Sequence, residues 1–282
     1  MSRFIAVMKL FFRLLLPLVL FASVIRASVY EVGGQKIEIP TPVGYVPASS
    51  SLPGYAALMQ LTEDKYNDTV VLLLSGDDAD ALQSGKAADM THYCLVKHSR
   101  GIGTTRITVD GFAMIKAKIK DDTAKFWANA LKNGGKDNAP TDLDRLVRTS
   151  DVVPMDPHYE TDSAIAYSAL VKLNKGQESE SVFAVTTTML NVNGTVVSLF
   201  VFFPREGLDA SAALAKDWSD AVLTFNPGTT QARPVAENPP ATPQEGTDAF
   251  NWLKVLAYAV VGVSIGAVLY LLYRKYTGRK SS

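Results

Sequence analysis

One cysteine, Cys94, and three histidines, His92, His98 and His158, are all that this 282-residue chain offers of the side chains that most often bind metals or form disulfides. A single cysteine excludes an intramolecular disulfide, and none lies near the start where a lipoprotein would need one. Any folded part must therefore hold together by packing. No Gly-x-Ser-x-Gly elbow and no phosphate-binding loop occurs. Gly101-Ile102-Gly103-Thr104-Thr105-Arg106 opens like a dinucleotide fingerprint, but Arg106 stands where a third glycine must allow close helix packing, so the stretch reads as a connector. Asp77, Asp78 and Asp80 lack the glycine and distal glutamate of a calcium loop and read as a solvated acidic turn. Charge is balanced overall, with 28 basic and 28 acidic residues, but it is segregated. Every acid lies in residues 28–252 with only 19 of the bases, a net of −9 there, which argues against a nucleic-acid partner because phosphate recognition needs clustered Lys and Arg.

What the chain does have is apolar sequence at both ends. Residues 255–273 carry no charge and are followed by Arg274, Lys275, Arg279 and Lys280. As a helix this run spans about 28 Å, which matches the roughly 30 Å hydrocarbon core of a bilayer. Trp252 and Tyr258 at one end, and Tyr270, Tyr273 and Tyr276 at the other, suit the two interfaces, and the basic flank places the C-terminus in the cytoplasm. At the other end, Arg3, Lys9 and Arg13 precede an apolar stretch over 14–25, the pattern of a secretory signal with cleavage expected after Ala27. The alternative is an uncleaved anchor, which leaves the middle of the chain on the same side. Residues 227–250 are rich in proline and free of aromatics until the last of them, and read as a tether. The expected organisation is a signal peptide at 1–27, an extracytoplasmic domain at 28–226, the tether at 227–250, a transmembrane helix at 251–273 and a basic cytoplasmic tail at 274–282. Within the membrane segment Gly262 and Gly266 form a GxxxG pattern, which lets two helix backbones approach closely and marks a candidate homodimer contact.

Periodicity in the domain predicts an α+β fold with a largely antiparallel sheet covered by helices. A first strand over 31–40 is broken by Gly33-Gly34, a short helix covers 52–61, and strands follow at 67–74 and 91–98. Phe112, Ile115, Ile119, Phe126, Trp127, Ala130 and Leu131 recur near helical spacing after a loop at 101–105; Asp110 is expected to cap this helix and Gly134-Gly135 to end it. A short helix is expected at 143–147. Strands at 164–173, 181–192 and 195–203 follow, the last two joined by Asn193-Gly194, the strongest short hairpin signal. Asp209 is expected to cap a final helix whose Leu214, Trp218, Ala221, Val222 and Phe225 form one apolar stripe. No internal repeat is visible.

Three segments then carry a resemblance: Lys36-Ile37-Glu38-Ile39-Pro40, the Thr161-Asp162 corner with the strand after it, and the long hairpin from Asn191 through Asn193-Gly194 to Val201. Together with Trp218 in a closing helix, they resemble a group of uncharacterised bacterial exported, membrane-anchored proteins. More loosely, the layout is similar to the α/β sandwich of PsbP, an accessory subunit of photosystem II, and of a nuclear accessory protein that binds Ran. The resemblance brings no catalytic residue, and what it implies is a preference for protein partners.

His92, Cys94 and His98 on one strand face suggest zinc, but His92 and His98 would stand about 20 Å apart along a strand, too far to share an ion. His158 sits among Asp156, Glu160 and Asp162, where carboxylates can orient an imidazole. Asn67-Asp68-Thr69 and Asn193-Gly194-Thr195 match the glycosylation pattern but read as a loop and a turn in a bacterial protein. The expectation is a single-pass protein of the bacterial inner membrane with a periplasmic domain that acts as a noncatalytic binding or scaffolding module. It needs no cofactor and meets the lipid bilayer and an envelope protein partner. The alternatives are an extracytoplasmic enzyme, a hydrolase using His158, and a small-ligand sensor acting through membrane partners.

Overall fold

The computed structural model describes residues 26–133, 152–173 and 181–228. The expected leader up to residue 25, the glycine pair after the long helix, the short helix at 143–147, the tether beyond Gly228 and the membrane segment lie outside them. Among the described residues, no helix is long and apolar enough to cross a membrane.

The first element is a hairpin, β1 (Ala27–Val32) with β2 (Gln35–Pro40), so the single broken strand expected over 31–40 is in fact two antiparallel strands. Gly33 and Gly34 turn the chain with φ of 55° and 73°, a left-handed region that suits glycine. Gly33 is further required by contact, because a Cβ there would lie 2.8 Å from the carbonyl oxygen of Gly103 and 3.1 Å from Nε2 of His98. After it come β3 (Tyr45–Pro47), helix α1 (Tyr55–Thr62), β4 (Asn67–Ser75), helix α2 (Gly76–Gln83) and β5 (Tyr93–Ser99). The long helix α3 covers Val109–Asn133, and the chain returns through β6 (Val152–Pro154), β7 (Tyr159–Thr161), β8 (Ala164–Leu173), β9 (Ser181–Val192) and β10 (Thr195–Pro204). A single 3₁₀ turn at Arg205–Gly207 leads into the last helix, α4 (Leu208–Phe225).

Several local expectations are corrected. The acidic stretch at Asp77, Asp78 and Asp80 is helix α2, because Ser75 caps it: Ser75 Oγ accepts from the Asp78 N–H at 3.1 Å and donates to the Asp78 carboxylate at 2.7 Å. Asp78 is buried, and its other oxygen accepts the N–H groups of Asp89 and Met90, which folds the following loop back onto the helix. Thr108, not Asp110, caps α3 by accepting the Gly111 N–H, and Asp110 lies in the first turn beside the helix dipole. Asp209 likewise occupies the first turn of α4, whose N-cap is Gly207. The buried stripe of α4 is Ser211, Ala215, Trp218, Ser219 and Val222, so the expected Leu214, Ala221 and Phe225 flank it.

Eight strands form one antiparallel sheet in the order β3-β4-β5-β10-β9-β8-β6, with β7 also pairing to β8. The Asn193-Gly194 hairpin forms as expected, with φ of 53° and 84°. Alternation divides the core in two. Leu72, Leu74, Leu95, Tyr167, Val185, Phe200 and Phe202 pack toward Leu58 of α1, Leu82 of α2 and Phe112 and Ile119 of α3. Leu73, Cys94, Val96, Leu190, Leu199 and Val201 pack on the opposite face toward Ala215, Trp218 and Val222 of α4 and toward Val32, Ile37 and Ile39 of the hairpin. With both faces covered, every residue of β5 from Tyr93 to His98 is buried, which is why this strand reads as a continuous run rather than an alternation.

One charged pair lies inside this frame. Lys97 Nζ on β5 donates to Asp64 Oδ2 at 2.6 Å and to the Thr62 carbonyl at 2.7 Å, and both side chains are almost wholly excluded from solvent. The other carboxylate oxygen of Asp64 accepts the N–H groups of Tyr66 and Asn67, so the pair fastens the exit of α1 to the start of β4. Removing one partner of a buried pair strands the other, at a cost of about 3–5 kcal/mol. Asp64→Asn is therefore expected to destabilise the fold by about that amount in urea unfolding, and adding Lys97→Met to recover part of the loss. A loss below about 0.5 kcal/mol for Asp64→Asn would show that the pair is not desolvated.

Candidate functional site

The strand edges separate into protected and open ones. At one end of the eight-stranded sheet, β3 is three residues long, ends in Pro47, and has the Tyr45 N–H tied to the Pro42 carbonyl at 3.1 Å. At the other end, β6 also has three residues and ends in Pro154, while the Thr161 carbonyl at the end of β7 accepts from Lys116 Nζ of α3 at 2.7 Å. Short strands, prolines and covering side chains are the usual means of blocking edge pairing. The hairpin differs. The outer edge of β2 is closed by α4, because Asn226 pairs with the Glu38 backbone like a short strand. Its Oδ1 accepts the Glu38 N–H at 2.9 Å and its Nδ2 donates to the Glu38 carbonyl at 2.7 Å. Trp218 Nε1 adds a bond to the Pro40 carbonyl at 2.7 Å.

Those bonds fix which backbone groups of β1 point outward. Glu38 faces Val29 in the register, and since the N–H and C=O of Glu38 point away from β1, those of Val29 point away from β2. Ala27 and Glu31, two residues either side, repeat the pattern, and β1 pairs with no strand but β2 among the described residues. Val29 is 59% exposed, and beside it on the solvent face lie the exposed Glu31, Glu38 and Lys36, none in an ion pair among the described residues. A six-residue strand without proline, with an apolar side chain outward and unpaired amides along its edge, is a surface on which another strand can add. The strand expected over 31–40 reaches only the last two residues of β1, and that the outer edge of β1 is open depends on Asn226, nearly two hundred positions away.

The chemically suggestive residues are mostly tied into the frame. His98 is buried, with Nδ1 2.9 Å from the Val196 carbonyl and Nε2 2.7 Å from the Gly103 carbonyl. His92 precedes β5, with Nδ1 3.0 Å from Thr91 Oγ1 and its ring edge-on to Phe203. Cys94 is fully buried, and burial pushes its thiol well above the ordinary range, only partly offset by a hydrogen bond to Tyr45. The Gly101–Arg106 stretch is a turn, and its Arg106 reaches Thr195. Asn67 is buried with Nδ2 on both oxygens of Asp64, at 3.0 and 3.1 Å. Gly262 and Gly266 lie outside the described residues.

His158 is at the surface with Nε2 turned inward, 3.1 Å from Ser168 Oγ. The contact does not end there. Ser168 Oγ lies 2.9 Å from Thr186 Oγ1, which lies 2.8 Å from Ser211 Oγ on α4, and Ser211 donates to the Leu208 carbonyl at 2.8 Å. Ser168, Thr186 and Ser211 are all buried, so the hydroxyls join β8, β9 and α4 across the interface. Of the acids near His158, Glu160 faces elsewhere: it bonds Lys120 and Lys116 of α3, and Lys120 chiefly holds its carboxyl below the ordinary value. Nothing in the sequence signalled this chain of hydroxyls, whose members are scattered over 168–211.

No protein-family model matches the chain, and neither does any curated protein. Among solved structures, the chain is similar to the Saccharomyces cerevisiae Ran-binding protein Mog1p, at 14% identity over 72% of this chain and 93% of that one, with a TM-score of 0.30. It is also similar to a mutant of the protein Mog1, at 12% identity over 71% of this chain and 93% of that one, again with a TM-score of 0.30. At that level the likeness carries no argument about function.

Partial burial lowers the affinity of the His158 imidazole for a proton relative to its ordinary value. As pH falls below about 6.5, the unfolded chain takes up this proton before the folded one does, so the contribution to stability is complete at neutral pH and declines in acid. Urea midpoints measured at neutral and mildly acidic pH should therefore converge in His158→Gln relative to the parent. An unchanged pH dependence would place the imidazole in bulk solvent.

Proposed function

We propose that this protein is a noncatalytic protein-binding or scaffolding module of the bacterial cell envelope, displayed in the periplasm on a tether from a single membrane helix. The basic flank after the apolar run and the leader pattern support the orientation. The observation that carries the binding function is the open outer edge of β1 with Val29 exposed on it, set against main-sheet edges closed by Pro47 and Pro154. Domains that recruit extended partners use such an edge, since the backbone supplies affinity and the neighbouring side chains supply selectivity. A hydrolase reading draws on the His158–Ser168 contact, but that hydroxyl is buried and already bonded to Thr186, so α4 would have to lift before a substrate reached it.

A photo-reactive residue placed at Val29 of the full-length chain in its native membrane is expected to capture one or a few envelope proteins reproducibly. The same residue at the exposed Gln83 of α2 should not capture them. Equal capture from both positions, or none from Val29, would contradict the binding role. Labelling of Ser168 by a serine-reactive fluorophosphonate would support the hydrolase instead.

A further inference from the structure

We infer that β1 takes an extended peptide segment of another protein as a third strand of the hairpin, and that this segment presents a basic residue two positions from an apolar one. The inference rests on the binding function proposed above and assigns its mode and partner chemistry. Val29 and Glu31, which remain after the expected cleavage following Ala27, each direct one N–H and one C=O outward along one edge, so an antiparallel strand finds donors and acceptors already in line. The hairpin is held for this task. Val32, Ile37 and Ile39 are buried under it, Asn226 and Trp218 grip β2 from behind, and the Gly33 turn rests against Gly103 and His98. An incoming strand therefore meets a preset edge and loses only its own freedom.

Side chains specify the occupant. Residues directly opposite across a new antiparallel pair share a face, so a partner side chain facing Val29 and another facing Glu31 must be two positions apart. Val29 is exposed and apolar, and suits a β-branched or aromatic neighbour. Glu31 is exposed and lacks an ion pair among the described residues, as does Glu38 across the hairpin from Val29; the exposed Lys36 stands opposite Glu31 on β2, and the two glutamates against this one cation leave the face net negative beside its apolar point. A lysine or arginine opposite Glu31 completes the match. A second copy of β1 fits less well: antiparallel pairing centred on Val29 leaves no cationic side chain opposite Glu31.

The test uses the full-length chain and a capped synthetic octapeptide, Thr-Val-Thr-Lys-Thr-Val-Thr-Lys, in which each lysine stands two positions from a valine on one strand face, read by hydrogen exchange resolved to single amides. Added peptide should slow exchange at Val29 and Glu31 saturably and leave α2 unchanged. The same peptide with glutamate in place of each lysine should bind weaker by about threefold or more, as opposite-charge cross-strand pairs contribute, and Glu31→Lys should invert that preference. N-methylation of alternate peptide amides should abolish the protection, which a contact made by side chains alone would survive. Absence of protection at Val29 and Glu31, or equal protection by the lysine and glutamate peptides, overturns the inference. If cross-linking from Val29 still captures a partner, only the strand-addition mode has failed; if both experiments are negative, the binding function fails with it. Concentration-dependent dimerisation that slows Val29 exchange without peptide would assign the edge to a second copy and also overturn the inference.

Discussion

The structure depends on covering both faces of one antiparallel sheet. Its central strands are apolar on both sides, with Leu95 and Phe200 facing one way and Cys94, Val96 and Val201 the other, so neither face tolerates water. Three helices cover the first face. Among the described residues the second has only one helix, α4, and the remaining area falls to the β1–β2 hairpin, a separate two-stranded sheet. A two-stranded hairpin is marginal by itself, so it must be seated by other contacts. Trp218 and Asn226 do this from α4, and the close contact of Gly33 with Gly103 does it from the loop after β5. Truncating a buried tryptophan costs about 3–5 kcal/mol, and here that cost would fall on the seat of the hairpin as well as on the core.

Polar groups inside the sandwich follow the same logic of joining elements that the apolar core does not lock. Lys97 and Asp64 fasten α1 to β5, and the hydroxyls of Ser168, Thr186 and Ser211 fasten α4 to β8 and β9. Such networks are costly when incomplete and specific when complete. His158 sits at the outer end of the second network, which explains why a histidine near carboxylates in sequence ends in a chain of hydroxyls instead. The outer hairpin edge is left facing solvent among the described residues, because the inner face of the hairpin is committed to the core and β2 is committed to α4.

Much of the frame was legible along the chain. The three long strands of the second half and the Asn193-Gly194 turn match the expected bounds almost to the residue, because their alternation is long and the turn has its own left-handed requirement. Helix α3 followed from the spacing of its apolar residues. What the sequence hid was short or nonlocal. β3, β6 and β7 have three residues each, below the length at which periodicity speaks. Helix α2 was obscured because its acids resemble a turn until Ser75 is seen to cap them. The ends of α3 and α4 were assigned to Asp110 and Asp209 by residue type, whereas Thr108 and Gly207 occupy those positions. The open edge was least legible of all, since the orientation of Val29 is set by its partner Glu38 and by Asn226 at the far end of the domain.

The central claim is that β1 is paired on one side and free on the other. Amide hydrogen exchange of the protein without any partner reads this residue by residue. Tyr30 and Val32, whose N–H groups point to β2, should exchange slowly, while Val29 and Glu31, pointing outward, should exchange at close to the rate of open chain. Protection of Val29 equal to that of Tyr30 would mean that the outer edge is already occupied, and would contradict the assignment of this edge to a partner.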